Sequence, residues 1–316
     1  MKKYRALLFP TIGVAAALAF AIDSGAVPHS LLDRLEAIEE QFNIGSIDAH
    51  GAPDLGAMVD RIIGDLPIQD SGPEGSRAVQ TLNRVIFDQL GIRASQDLKN
   101  PDNLLPSRVF ESKQGYCVGI AAAYLLLAER LNLPIFAVAT PSHVFLRYED
   151  GVVRINIETL QRGANVPDEQ YVREQKIPAK SIRRGVFMRN LTTDEFLAQV
   201  HNNLGVVYSE RKNYEMAAAE YETALGLDPH LPAAAYNYGN DLLRLGKHRR
   251  AVRLFSRSLR LYPSDVWALN NRGLAWLKME KPDKAKRDFQ AALAIDSGFE
   301  AARNNLGSLA VGPPAK

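Results

Sequence analysis

The sequence predicts an α+β domain followed by an all-α repeat domain, and three observations carry that prediction. An apolar helix from about Cys117 to Leu131 is reached through a mostly helical stretch. Three short strand patterns follow it directly, over 133–139, 141–148 and 152–158. Glycines then recur at Gly205, Gly239, Gly273 and Gly307, a period of 34 residues. With 316 residues and 46% hydrophobic composition, the chain is long enough for two packed domains.

At the start of the chain, Lys2, Lys3 and Arg5 precede an uncharged run from Ala6 to Ile22. Ala19-Phe20-Ala21 and Ser24-Gly25-Ala26 offer small residues for cleavage, so residues 1–26 read as a secretory signal and the protein as exported, periplasmic or otherwise outside the cytoplasm. An uncleaved anchor through residues 6–22, holding the chain at a membrane, is the alternative, because the run is near the lower limit for a span. The one cysteine excludes an intramolecular disulfide framework. A formal charge of +2 gives no argument for nucleic acid. His29, His50, His143, His201, His230 and His248 show no metal-ligand spacing, and no glycine-rich phosphate loop occurs, so neither metal nor cofactor is expected.

Residues 30–190 form the first expected domain. Leu31, Leu35 and Ile38 make one apolar stripe, Met58, Ile62 and Ile63 a second, and Val79, Leu82, Val85, Ile86 and Leu90 a third, all read as core. A Pro/Asn-rich loop from Asp97 to Pro106 is polar enough to line a cleft. Cys117 falls in the first turn of the apolar helix, where unpaired N–H groups and the helix dipole favour a thiolate; the plainer reading is a small buried hydrophobe. His143 opens the second strand pattern. The turn Glu149-Asp150-Gly151 returns the chain so that residue 143 faces 157 to 159, which brings a carboxylate to the imidazole, and Asn156 and Glu158 share one strand face. Thiol, imidazole and acid then make a nucleophile, a base and an orienting group, with Glu158 and Asn156 both open for the third role. Gln114 is an oxyanion-donor candidate beside the Cys117 backbone N–H, and an exposed loop residue otherwise.

The stretch from Leu82 to Gly163, with Gln114-Gly115-Tyr116-Cys117-Val118-Gly119-Ile120, Pro141-Ser142-His143-Val144-Phe145 and Arg154-Ile155-Asn156-Ile157-Glu158, resembles the transglutaminase-like superfamily, a relative of papain-type cysteine proteases. The resemblance implies a papain-like fold with Cys117 as nucleophile and His143 as base. The third position is usually Asp in that superfamily and falls here on Glu158 or Asn156; a longer Glu has to be set back to orient the same ring. Members of the bacterial branch often carry tetratricopeptide repeats downstream.

After Gly163 the composition fits a joining segment as far as residue 190. The 34-residue period then takes over. Ala217, Ala251 and Ala285 keep it, as do Tyr221, Phe255 and Phe289, and Pro229 and Pro263 end second helices. This register resembles the tetratricopeptide repeat, with three repeats and a capping helix expected over 194–311. Asn203, Asn237, Asn271 and Asn305 stand two residues before each glycine, on the helix that lines the concave groove in that family. Amides there can bind a peptide backbone, or bond locally within the helix pair. Arg249, Arg250, Arg253, Arg257 and Arg260 decorate the second helix of the middle repeat.

The expected protein is an exported, thiol-dependent acyl-transfer enzyme acting on an amide of a polypeptide, as peptidase, amidase or transamidase, with the repeats binding the chain. The alternative is an interaction scaffold with a degenerate papain-like domain. Access to Cys117 from a cleft shared with His143 separates the two.

Overall fold

The computed structural model describes residues 30–44, 54–65, 74–95, 97 and 100–311. Residues 1–26, expected to be a secretory signal, lie outside them. Among the described residues no helix is long and apolar enough to cross a membrane.

The N-terminal half is a set of helices packed around one of their number. α1 (Leu31–Ile44), α2 (Leu55–Gly64) and α3 (Glu74–Asn83) come first, and α3 runs on as a π-helical turn over Arg84–Gln89. These carry the three apolar stripes of the sequence: Leu35, Leu82 and Ile86 are fully buried, whereas Met58, Ile62 and Ile63 of the second stripe are half-buried and Leu55 supplies the buried anchor of that helix. Short strand β1 (Arg93–Ala94) pairs in parallel with β2 (Gln114–Gly115), and α4 (Pro106–Ser112) lies between them. α5 (Cys117–Arg130) is the central helix. Its residues from Cys117 to Ala128 are buried without a break, which requires neighbours on every side.

Those neighbours include a three-stranded antiparallel sheet in the order β3 (Ile135–Ala139), β4 (Val144–Glu149), β5 (Arg154–Ile157). β3 and β4 pair with Ala139 opposite Val144, and β4 and β5 with Leu146 opposite Ile157. Two short helices follow, α6 (Asp168–Glu174) and α7 (Ala179–Arg183). The segment expected to be a simple joint is part of the sheet instead. The backbone N–H groups of Met188 and Leu191 donate to the carbonyls of Ala139 and Ala137, so residues 188–191 run along the free edge of β3 and satisfy it.

The C-terminal half is a stack of antiparallel helix pairs: α8 (Thr193–Glu210) with α9 (Tyr214–Leu227), α10 (Pro232–Arg244) with α11 (His248–Leu261), and α12 (Val266–Leu277) with α13 (Pro282–Ile295). α14 (Glu300–Val311) covers the end. α8 opens with a capping box in which Thr192 and Glu195 satisfy each other's backbone N–H groups. The period has a steric cause. In each pair the glycine of the first helix lies against the aromatic ring sixteen positions on; a Cβ at Gly239 would stand 2.8 Å from the Phe255 ring, and Gly205 and Gly273 meet Tyr221 and Phe289 in the same way. At Gly307, among the described residues, a Cβ would meet nothing within 4 Å.

The two halves are not joined by a hinge. Phe196, Leu197, Val200, Leu204 and Val207 of α8 belong to the same apolar core as α5, each contributing roughly 1.5–3 kcal/mol by burial. The second repeat closes back onto the first domain as well: the Ser181 hydroxyl donates to the Leu261 carbonyl at 3.1 Å, Arg184 donates to the Arg260 carbonyl at 3.1 Å, and Phe187 meets the Tyr262 ring edge-on. The repeats therefore curl over one face of the α+β domain.

Replacing Gly239 by Ala should cost about 1–3 kcal/mol because the ring has to give way, whereas Gly307→Ala should gain about 0.5–1 kcal/mol of helix stability. Urea denaturation of the two variants measures both; equal effects would show that ring contact does not set the period.

Candidate functional site

The cysteine is held by a backbone contact that only glycine permits. The Tyr116 N–H donates to the Asn103 carbonyl at 2.7 Å, and a Cβ on Gly119 would stand 2.2 Å from that same oxygen. The first turn of α5 is thus pressed against the loop at Asn103, whose side chain is in turn fixed by the Ser95 hydroxyl and the Asp97 carbonyl. The Pro/Asn-rich loop expected to line a cleft is a buttress beneath this turn. No side chain caps α5, which leaves its first-turn N–H groups to serve an anion.

Cys117 is only 2% exposed, yet it lines a cleft of about 720 Å³ together with Tyr116 and His143. His143 sits in the tight connection before β4, where its carbonyl accepts from the backbone and hydroxyl of Thr140. Its Nε2 contacts both oxygens of Glu158, at 2.8 and 3.0 Å. The other ring nitrogen is left free of Glu158, and Cys117 is near enough to the imidazole to act on its basicity. Burial would lower the basicity of His143, but the hydrogen bonds to Cys117 and Glu158 and the charges of both outweigh it and raise the ring to about 9.

Glu158 is placed by three donors. Besides His143 it accepts from the Tyr171 hydroxyl at 2.7 Å and from the Leu160 N–H at 2.9 Å, so it caps the 3₁₀ turn that ends β5. Burial works against its charge, yet the hydrogen bond and charge of His143 and the other donors hold its carboxyl below the usual range. The strand register places Glu158 opposite Phe145 by extension, and the longer Glu arm covers the two positions back to His143.

The two open candidates for the third position separate in space. Asn156 does not reach the imidazole: it accepts from Arg147 Nε at 2.9 Å and donates to the Val166 carbonyl and Asp168, each at 2.7 Å. It serves a buried network in which Arg147 also donates to Asp168. Gln114 is exposed in β2 and is not among the cleft residues, because the β1 pairing turns this position outward. The repeat asparagines divide too. Asn203 and Asn237 line the cleft. Their amides, with those of Asn271 and Asn305, are also tied within the stack: Asn237 donates to Asn202, Asn271 to Asn240 and Asn305 to Asn270, while Asn203 donates to the Gln199 carbonyl in its own helix. Asn271 and Asn305 are not among the residues lining the cleft.

Two tyrosines complete the arrangement and had no clear signal in the sequence. Tyr116 lines the cleft beside Cys117; burial first, and then the neighbouring sulfur, push its hydroxyl up to about 12. Tyr171 comes from α6, in the segment with the weakest pattern, and stacks on Phe145 at 4.2 Å with its ring planes 4° apart.

Residues 53–203 match the family model of the transglutaminase-like superfamily, and residues 196–264 and 266–299 match tetratricopeptide-repeat models. The chain carries a transglutaminase-like domain followed by tetratricopeptide repeats. Among curated proteins this transglutaminase-like chain is similar to the UPF0162 protein of Xylella fastidiosa (strain 9a5c), 28% identical over 201 residues, 58% of this chain and 67% of that one. It is also similar to the type IV pilus assembly protein PilF of Pseudomonas aeruginosa, 28% identical over 149 residues, 46% of this chain and 53% of that protein. Among solved structures, the first tetratricopeptide domain of Spaghetti (RPAP3) bound to an HSP90 peptide is 25% identical, with a TM-score of 0.36, over 36% of this chain and 90% of that one.

The pairing of His143 has a consequence for stability. Its folded-state value of about 9 lies above the ordinary 6.5, so the contribution is complete below about pH 6.5 and is lost as pH rises through about 9. Melting temperatures of the wild type should fall across that window, and His143→Gln should flatten the fall. An unchanged slope in the variant would show that another group titrates there.

Proposed function

We propose that the protein is a cysteine-dependent acyl-transfer enzyme that acts on an amide bond of a polypeptide bound between its two halves. The observation that carries this reading is the cleft that Cys117 and His143 line together with Asn203 and Asn237 of the repeats. A buried thiol with no cleft would have favoured the scaffold.

In the proposed reaction the Cys117 sulfur attacks the amide carbonyl carbon, and the carbonyl electron pair moves to oxygen. The first-turn N–H groups of α5 are the donors placed for that oxyanion. The His143 imidazolium gives its proton to the amide nitrogen, the C–N bond breaks, and the amine leaves a thioester on Cys117. Neutral His143 then takes a proton from water or from an incoming amine, whose attack breaks the C–S bond and releases an acid or a new amide. Glu158 keeps the ring oriented and stabilises its charged form throughout. Tyr171, by donating to Glu158, supports the same orientation from outside the cleft. Export belongs to the proposal through residues 1–26.

A thiol-reactive peptide probe at neutral pH should label Cys117 in the folded protein faster than in the denatured chain, and His143→Ala should slow labelling by about 10²-fold or more. Glu158→Gln should slow it and also lower the melting temperature, because Leu160 and Tyr171 donate to different carboxylate oxygens, of which an amide keeps only one, and the imidazole loses its charged partner. Asn156→Ala should lower the melting temperature, since it takes the Asn156 partner from Arg147 Nε and the Val166 carbonyl in a buried network. Equal labelling of folded and denatured chains would leave the scaffold reading in place. Adding a labelled primary amine to an acylated enzyme and following its incorporation separates transfer from hydrolysis.

A further inference from the structure

The repeat side of the cleft is chemically one-sided. Its charged lining is Asp228, Asp265 and Asp296 against His230, and the first domain adds Glu174 and Lys176 across from it. Among the described residues none of the four carboxylates stands in an ion pair. Asp228 is 5% exposed, and burial raises both Asp228 and Asp265 above the usual carboxylate range. The backbone N–H groups of His230, Ala268 and Gly298 serve Asp228, Asp265 and Asp296, and a bound cation would add the salt-bridge partner that these carboxylates lack.

Beside these carboxylates stand two apolar side chains that the fold leaves in water. Trp267 is 56% exposed and Ile295 46% exposed, and both line the cleft. The Trp267 ring is braced edge-on by Phe299 at 4.7 Å, so it presents a rigid face. A rigid indole next to carboxylates is the chemistry that holds an alkylammonium or guanidinium group, with the aliphatic stem of the side chain lying on the apolar surface.

The position of this wall says what the cation belongs to. Asp228, Asp265 and Asp296 lie in the connections between successive helix pairs, at 228–231, 262–265 and 296–299, and so are spread along the stack rather than gathered at one point. A small diamine would meet one of them. An extended chain crossing the repeats toward Cys117 would meet them in succession, with backbone amides within reach of Asn203 and Asn237.

We propose that the cleft selects a polypeptide bearing Lys or Arg side chains next to apolar ones, seated on Trp267 and the carboxylates of the repeat connections while its backbone leads to Cys117. This rests on the functional reading given above and names the substrate class of that site.

Binding is measured by fluorescence anisotropy on the full chain carrying Cys117→Ser, so that turnover plays no part. Labelled peptides of equal length alternate Leu with Lys, or Leu with Glu. The Lys peptide should bind at least about tenfold tighter at low salt, and the difference should shrink as salt is raised. The double variant Asp265→Asn/Asp296→Asn should abolish the preference. It keeps the side-chain oxygens that accept from the N–H groups of Ala268 and Gly298, so the helix ends survive. Trp267→Ala should weaken the Lys peptide, and Arg253→Glu, on the second helix of the middle repeat, should leave it unchanged. Tighter or equal binding of the Glu peptide, or an unaltered preference in the double variant, would overturn the assignment; so would a free polyamine that binds as tightly as the Lys peptide. If the thiol of the unmodified protein reacts as expected while no charge preference is found, the inference fails and the enzyme reading stands. A charge preference with an inert thiol would leave this binding surface in place without the chemistry.

Discussion

α5 has to be covered on all sides. Its run from Cys117 to Ala128 is buried without interruption, and a helix with no polar face cannot stop at one partner. The helices of the N-terminal region cover part of it, the sheet carrying His143 and Glu158 covers another, and α8 of the first repeat completes the shell. The site is a by-product of that demand. Whatever packs on α5 is brought within reach of the thiol at its first turn, and the contact between Gly119 and the Asn103 carbonyl sets where that turn begins.

Much of this was legible in the residues. The thiol at the helix start, the imidazole at a strand start and a carboxylate after the returning strand are local features, each fixed by a pattern a few residues long. The repeat register was legible for a comparable reason: a glycine that must touch an aromatic ring sixteen positions later cannot drift. The choice between Asn156 and Glu158 was not legible, because the period-two rule places both on one face. The strand ends at Ile157, so Glu158 follows the geometry of a 3₁₀ turn, and Asn156 is claimed by Arg147 and Asp168, the latter from α6.

The remaining gaps have the same origin in distance along the chain. Tyr171 reaches Glu158 from thirteen residues away and the segment that carries it shows no periodicity. The curl of the repeats onto the cleft depends on residues 181–191 being held both by β3 and by the end of α11, two contacts that no stretch of sequence announces. The asparagines at repeat spacing kept their place on the first helix of each pair. Their period records how neighbouring helix pairs are tied to each other, and only the first two also face the cleft.

The two family matches overlap over residues 196–203, and the overlap falls on α8. A modular chain is usually divided between such matches, yet here the dividing line runs through one wall that both modules share. Severing the chain before α8 would strip the lid from α5, and severing it after would leave the next repeat without its neighbour. The family boundary and the boundary of the apolar core are therefore out of step: the matches divide the chain at a helix whose side chains the core of the first domain shares.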